Sequence, residues 1–118
     1  MNQNDLVKKK SSTEILTLSK MEEEILSVLT GRELYGLQII DAFRDASEGQ
    51  RSIGVGSLYP TLSRLEEKGL ILSWMEARPE DDKGGARRKY FKVTQQGVMA
   101  LAAAEQFRRK LFEWRPAT

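Results

Sequence analysis

Two short stretches of the sequence carry side chains suited to contact with a phosphate backbone. The first, "GSLYPTLSR" at residues 56–64, places hydroxyl groups and one arginine around a proline. The second, "KGGARRK" at residues 83–89, carries cations and no acid. Lysine and arginine neutralise phosphates, and hydroxyl groups hydrogen-bond to phosphate oxygens or base edges. The candidate DNA contacts in these stretches are Ser57, Tyr59, Pro60, Thr61, Arg64, Lys83, Arg87, Arg88 and Lys89.

Each stretch also has a structural explanation that the sequence leaves open. A single basic run is commonly a solvated loop, and residues 80–82 just before it are acidic and would repel DNA. Tyr59 would equally pack on its own domain, and Arg64 would pair with Glu67 or Glu48. These alternatives compete with DNA contact at each position.

Composition excludes several classes of function. The chain has 118 residues, a net charge of +2, and neither cysteine nor histidine. Disulfides, Cys/His metal sites and histidine-based acid–base catalysis are therefore excluded, and we expect no cofactor, no metal and no enzyme activity. No apolar run is long enough to span a bilayer, and the N-terminus lacks the apolar core of a secretory signal. We expect a cytoplasmic protein without a membrane partner.

Three helices must position the first stretch. "SKMEEEILSVLTG" predicts a helix capped by Ser19 with Glu22 three residues later. "ELYGLQIIDAFRDASEG" predicts a second helix, with Leu34, Leu37, Ile40 and Phe43 on its buried face. Gly36 in that helix would allow close packing against the first helix.

The third helix begins, on this prediction, at Ser57 as N-cap. Pro60 then falls in the first turn, where its missing N–H costs no hydrogen bond. Leu58, Leu62 and Leu65 form its buried stripe, and Gly69 ends it. Next come two β-rich runs, "LILSWMEA" and "RKYFKV", which predict a hairpin with a long charged tip, here called the wing.

The segment "TQQGVMALAAAEQFRRKLFEWR" predicts a last helix with Thr94 as N-cap. It carries more apolar surface than one face needs, and Ala100 to Trp114 are spaced as in a coiled-coil seam. We therefore predict a homodimer formed through this helix. The predicted interface residues are Val98, Leu101, Ala104, Phe107, Leu111 and Trp114.

This order of elements predicts an α+β, mainly α fold. It is a winged helix-turn-helix with three helices, a two-stranded β wing and a long C-terminal dimerisation helix. We divide the chain into a flexible N-terminal arm (1–13), a DNA-binding domain (14–93) and the dimerisation helix (94–118). Lysines 8–10 in the arm are further candidates for phosphate contact, though a disordered tail explains them as well.

The motifs "ELYGLQI", "GSLYPTLSRLEEKGLI" and "GARRKYFKVTQQG" resemble, in order and spacing, the PadR-like family of winged-helix transcriptional regulators. The single C-terminal helix is similar to the small subgroup that dimerises through it. The resemblance implies a homodimer that binds a near-palindromic operator in double-stranded DNA, usually as a repressor. It also implies DNA contacts at Gly85 and at the positions named above other than Lys83, with Leu58 left to the core.

Two details of the resemblance concern regulation. Some small members bind flat aromatic drugs between paired tryptophans in the dimer helix. In this sequence the position of that tryptophan falls near Arg108. The sequences of the first two helices and of "GARR" are also similar to those of members of the circadian period-extender type.

Two further functions remain alternatives to a repressor. One is a protein–protein adaptor that has lost DNA binding. The other is a ligand-responsive regulator whose unknown small-molecule effector lies between the C-terminal helices.

Overall fold

The computed structural model describes residues 17–77 and 87–117. Candidate contacts Lys83 and Gly85, the acidic residues 80–82 and the predicted arm at 1–13 lie outside these residues. Along the chain the elements are α1 (Lys20–Leu29), β1 (Leu34–Tyr35), α2 (Gly36–Ala46), α3 (Val55–Glu67), β2 (Ile71–Met75), β3 (Lys89–Val93) and α4 (Gln95–Glu113).

Helix α1 begins as predicted. The Ser19 hydroxyl accepts from the Glu22 N–H, and the Glu22 carboxylate accepts from the Ser19 N–H at 2.7 Å. Ile25, Leu26 and Leu29 are fully buried and form the centre of the core. The capping box thus fixes the point at which the buried stripe of α1 starts.

The predicted start of the second helix was wrong. Leu34 and Tyr35 form a short strand that pairs with Phe91 and Tyr90 of β3, so their backbone groups bond to the sheet rather than to a helix. Helix α2 begins at Gly36, and Ile39 and Phe43 are buried whereas Leu37 is 62% exposed. The buried face of α2 therefore consists of Gly36, Ile39 and Phe43, which recur at helical spacing.

The predicted start of the third helix was also wrong. Gly54 is the N-cap of α3, and its carbonyl accepts from the N–H groups of Ser57 and Leu58. Pro60 therefore lies inside the helix. Because proline has no N–H, the carbonyl of exposed Gly56 lacks its helical donor and can accept from solvent or a partner. The buried stripe of Leu58, Leu62 and Leu65 is as predicted.

The strands form one antiparallel sheet in the order β1-β3-β2. Ile71 pairs with Val93 and Met75 with Lys89, which is the predicted hairpin. Phe91 and Ile71 point into the core, which also receives α1, α2 and α3. The mainly helical winged-helix fold is confirmed, with β1 as a third strand that the sequence did not predict.

Helix α4 is anchored at its start and projects at its end. Thr94 caps it as predicted, and the Thr94 hydroxyl donates to the Gly69 carbonyl at 2.7 Å. A Cβ atom on Gly97 would lie 2.1 Å from the Leu70 carbonyl oxygen, so only glycine allows this approach. Beyond Ala104 every residue of α4 is exposed. In the described ranges 17–77 and 87–117, no helix is both long and apolar enough to cross a membrane.

Candidate nucleic-acid interface

The outward face of α3 presents several of the predicted contacts. Ser57, Pro60 and Arg64 are exposed, and Tyr59 is 43% exposed. These side chains are presented on a helix held by three fully packed leucines, so their positions are set by the core. The arrangement suits a helix that enters a major groove, since its N-terminal residues lead.

Thr61 does not belong to this outward face. It is 2% exposed, and its hydroxyl donates to the Ser57 carbonyl at 2.8 Å while accepting from Arg64 Nη2 at 3.1 Å. Thr61 is thus buried, in contrast to the exposed predicted contacts Ser57, Pro60 and Arg64. The Thr61 hydroxyl positions the Arg64 guanidinium through the hydrogen bond that it accepts.

A buried carboxylate lies beneath α3 and engages two of its cations. Glu22 of α1 is 2% exposed, and its Oε2 atom is 2.8 Å from Lys68 Nζ and 4.0 Å from Arg64 Nε. This is a different partner from the Glu67 or Glu48 expected for Arg64. A single carboxylate thus neutralises part of the positive charge of α3.

The ionisation of Glu22 follows from these contacts. Burial by itself would raise the pKa of Glu22, but the hydrogen bonds from Lys68 and from the Ser19 N–H lower it. The positive charges of Lys68 and Arg64 act in the same direction. The pKa of Glu22 therefore lies below its ordinary value, and the carboxylate is charged at neutral pH.

The base of the wing is a second cluster of cations. Arg88 Nη1 lies 3.4 Å from the Glu76 carboxylate, and Arg87 Nε donates to the Glu76 carbonyl at 3.0 Å. The side chain of Lys89 instead lies near Phe91, with Nζ 5.8 Å from the ring centre, on the other face of the sheet. Since side chains alternate along a strand, Arg88 and Lys89 leave opposite faces of the hairpin. All three cations are exposed.

A chain of contacts joins the wing base to α3. The Arg88 guanidinium lies 4.8 Å from the centre of the Tyr35 ring, and Tyr35 is followed directly by Gly36. The hydroxyl of Tyr59 lies against Gly36, where a Cβ atom would be only 2.1 Å away. The start of α2 therefore connects the two predicted contact surfaces into one.

Sequence reasoning missed the residues that make these connections. Glu22 was identified only as a cap, because its partner Lys68 is 46 positions away. Tyr35 was assigned to a helix, so its contact with Arg88 was not foreseen. Glu76 pairs with Arg88 across the hairpin, and the register of the strands was the one available signal for that pair.

The predicted dimer residues fall into two groups. Leu101 and Ala104 are half-buried against their own domain, and Ala100 of the same seam is fully part of the core. Phe107, Leu111 and Trp114 continue that helical face beyond the domain and are 41%, 61% and 67% exposed. Val98 lies to one side and is 44% exposed. One face of α4 thus packs within the protomer at its start and is uncovered at its end.

A metal site finds no support in the described residues. In ranges 17–77 and 87–117, no three acidic side chains come together in a way that would bind a metal ion. Arg108, at the position of the drug-binding tryptophan in the resembling subgroup, forms an ion pair with Glu23 of α1.

Comparison with known protein families matches residues 25–103 to the transcriptional regulator PadR-like family. A search of curated proteins finds no matching sequence. A PadR family transcription regulator from Clostridium difficile R20291 is 30% identical, with 80% of this chain and 93% of that chain covered and a TM-score of 0.65. A PadR-like transcriptional regulator from Bacillus cereus is 25% identical, with 79% and 84% covered and a TM-score of 0.61.

A PadR family regulator from Eggerthella lenta shares the fold, with a TM-score of 0.65, 24% identity and coverage of 93% and 85%. These proteins and the family are transcription regulators rather than enzymes, which agrees with the expectation from composition. The family match spans more than half of the 118 residues. The chain therefore belongs to the PadR-like family and is a DNA-binding transcriptional regulator with a winged-helix fold.

Proposed function

We propose that the protein is a homodimeric repressor that binds a near-palindromic operator with α3 and the wing. The observation that carries this proposal is the contact chain from Tyr59 through Gly36 and Tyr35 to Arg88. It holds the outward face of α3 and the cations at the wing base on one rigid surface. Helix α3 would enter the major groove while the wing follows the backbone. We also propose that it acts in the cytoplasm, where promoter DNA would be reached.

The proposed contacts have separate roles. Arg64 is one to two turns into α3 and would contact a base edge or a phosphate, whereas Ser57, Tyr59 and Pro60 lead into the groove. Arg87, Arg88 and Lys89 would contact the backbone on either side of the wing, together with Lys83 and Gly85. Repression would follow from occupation of a promoter by the bound dimer.

The uncovered end of α4 supports the dimer. Phe107, Leu111 and Trp114 leave much of their apolar surface exposed in the described residues 17–77 and 87–117. A two-fold interface buries the same patch on both copies, and two-fold symmetry is what a palindromic operator requires. The dimer and the inverted half-sites therefore support one another.

Selection of bound DNA from a random library tests this proposal. We expect a motif with two inverted half-sites about one helical turn apart. Arg64→Ala and Arg88→Ala should each weaken binding to the selected motif by about tenfold and leave the fold intact. Unchanged affinity in both variants would overturn the assignment of these contacts. Lower transcription from a promoter that carries the motif would establish repression, and higher transcription would exclude it.

A protein–protein adaptor is the second candidate, and one observation favours it. Three cations of the proposed contact surface and its surroundings lie within 4.0 Å of a carboxylate oxygen, namely Arg64, Lys68 and Arg88. Paired cations contribute less to phosphate binding. Retention on heparin or bulk DNA at low salt separates the two candidates, because an adaptor would pass through the column.

A further inference from the structure

A groove between α1 and the helix-turn-helix unit has features of a ligand site. Its cavity volume is about 280 Å³. Val28, Ala42, Phe43 and Ala46 supply an apolar wall. Glu24 and Arg51 supply a polar end, where Arg51 Nη1 donates to Glu24 Oε2. No residue of α4 lines the groove, so it is separate from any effector site between C-terminal helices.

The polar end of the groove is incompletely satisfied. Glu24 Oε1 is a buried carboxylate oxygen without a hydrogen-bond partner, the one such side-chain atom in the parts of the chain described here. An unpartnered buried acceptor is costly and calls for an explanation. A donor from outside the chain would satisfy it.

None of the side chains that line the groove supplies that donor in this structure. The Ser27 hydroxyl donates to the Glu23 carbonyl at 2.8 Å, and the Ser47 hydroxyl lies 3.2 Å from the Arg51 carbonyl and accepts from the Arg51 N–H. The Arg51 guanidinium is held by Glu24 Oε2 and lies 5.5 Å from the centre of the Phe43 ring. The groove therefore combines an unpartnered carboxylate oxygen with an apolar wall.

We propose that this groove binds a small molecule that joins a cationic nitrogen donor, such as an ammonium or amidinium group, to an apolar body. The nitrogen would donate to Glu24 Oε1, because charge-assisted hydrogen bonds to carboxylates are the stronger kind. The body would lie against Val28, Ala42, Phe43 and Ala46. Pockets for drug-sized ligands span roughly 300–1,000 Å³, so this cavity suits a molecule of about one ring.

The position of the groove gives binding a consequence. One wall is α1, and the other is α2 with the turn that leads into α3. A ligand that bridges them would stabilise one orientation of the helix-turn-helix unit. Its effect on DNA affinity rests on the proposed function, whereas binding itself does not.

Titration of the full-length protein with benzamidine, followed by backbone amide chemical shifts, tests the site. We expect shifts confined to residues 24–28, 42–47 and 51, with half-saturation below about 1 mM. Benzoate has the same ring but an acceptor in place of the donor, and it should bind at least about tenfold more weakly. Equal binding of both, shifts along α4 alone, or no shifts at all would overturn the proposal; in the last case solvent satisfies Glu24.

Two variants and one control separate a specific site from a general charge effect. Glu24→Gln removes the carboxylate and should weaken benzamidine binding about tenfold. Glu33→Gln removes the same charge at an exposed position outside the groove and should leave binding unchanged. Ala46→Leu fills the apolar wall and should abolish binding with Glu24 and Arg51 intact. Undiminished binding by Ala46→Leu would place the ligand elsewhere.

A last comparison distinguishes the site from its consequence. If benzamidine binds in the groove and changes operator affinity, the groove regulates DNA binding. If it binds there without changing operator affinity, the regulatory consequence is overturned and the binding site stands. If the protein without ligand binds no operator, the proposed function is overturned, and the ligand site is unaffected.

Discussion

The Tyr59 hydroxyl of α3 occupies the space that a Cβ atom would need on Gly36 of α2, since the two positions are only 2.1 Å apart. The aromatic carbon Cζ of Tyr59 is also within 2.8 Å of that point. The sequence suggested that Gly36 allows the first helix to approach. The structure shows instead that it makes room for a side chain of the helix proposed to contact DNA.

Gly36→Ala should therefore displace Tyr59 and weaken operator binding by about tenfold, or about 1.4 kcal/mol. Alanine favours the helix while the displaced ring loses contacts, so the free energy of unfolding should change by less than about 1 kcal/mol. Operator affinity and chemical denaturation measure the two effects. Gly56→Ala is the control for the denaturation measurement alone, because a Cβ atom there meets nothing within 4 Å. Operator affinity unaffected by Gly36→Ala would show that the position of Tyr59 is unimportant.

Glu22→Gln should lower the free energy of unfolding at neutral pH by about 1.5–3 kcal/mol, the usual range for a hydrogen bond to a charged group. Lys68 and the Ser19 N–H would lose a charged acceptor, although the amide oxygen can still accept one bond. Chemical denaturation of both proteins measures the difference. Glu67→Gln, at an exposed position of α3, is the control and should have little effect.

The stabilisation from Glu22 should also depend on pH in one direction. Its pKa is lower in the folded protein than the ordinary value of 4.5. A carboxylate with a depressed pKa contributes its full stabilisation above the unfolded value and loses it as the pH falls through the folded value. The difference between wild type and Glu22→Gln should thus be constant near neutrality and shrink below 4.5. A difference that stays constant in acid would contradict the ion pairing.

The sequence predicted those parts of the fold that depend on local patterns. The capping box at Ser19, the buried leucines of α3 and the N-cap at Thr94 all follow from spacing within one turn or two. The strand at Leu34 could not be predicted this way, because two residues show no periodicity and its partner Phe91 is 57 positions later. The start of α3 was missed because Gly54 and Gly56 at its first turn are unfavourable helix residues and indicated a loop there.

The candidate site was predictable to a similar extent. Exposed residues such as Ser57 and Arg88 were identified by type. The partners of the site were not, because the contacts of Glu22 with Lys68 and of Tyr35 with Arg88 join distant parts of the chain. Thr61 looked like a contact by composition alone, and only the packing of α3 on α1 shows that it is buried.

Glu76→Gln should strengthen operator binding and make it more sensitive to salt. The change removes the carboxylate 3.4 Å from Arg88 Nη1, so the guanidinium becomes free to bind a phosphate. Each neutralised phosphate adds about 0.9 to the slope of log affinity against log salt concentration. Filter binding at several salt concentrations measures this slope.

A matched change elsewhere controls for net charge. Asp41→Asn removes the carboxylate that lies 2.8 Å from Arg44 on α2, outside the proposed contact surface. It alters the charge of the protein by the same amount and should leave the slope as it is. Identical slopes for Glu76→Gln and wild type would mean that Arg88 does not contact phosphate.

Leu111→Asp should convert the proposed dimer into a monomer at micromolar concentration. Leu111 lies on the uncovered face of α4 with Phe107 and Trp114, and burying a carboxylate among these apolar side chains is costly. Light scattering measures the mass, and the fluorescence of exposed Trp114 should shift to longer wavelength when its partner is lost. Gln106→Asp adds the same charge on the opposite side of the helix and should remain dimeric.

The monomer should also lose operator affinity, because two half-sites are no longer bound together. Linking two binding modules raises affinity by about 10²–10⁴ when geometry allows both to engage, so a loss in that range is expected. The domain itself should stay folded, since Leu111 lies beyond Leu101, the last residue of α4 that packs against the core. A Leu111→Asp protein with the mass and operator affinity of wild type would exclude this face of α4 as the interface, and an interface elsewhere would then have to supply the two-fold symmetry.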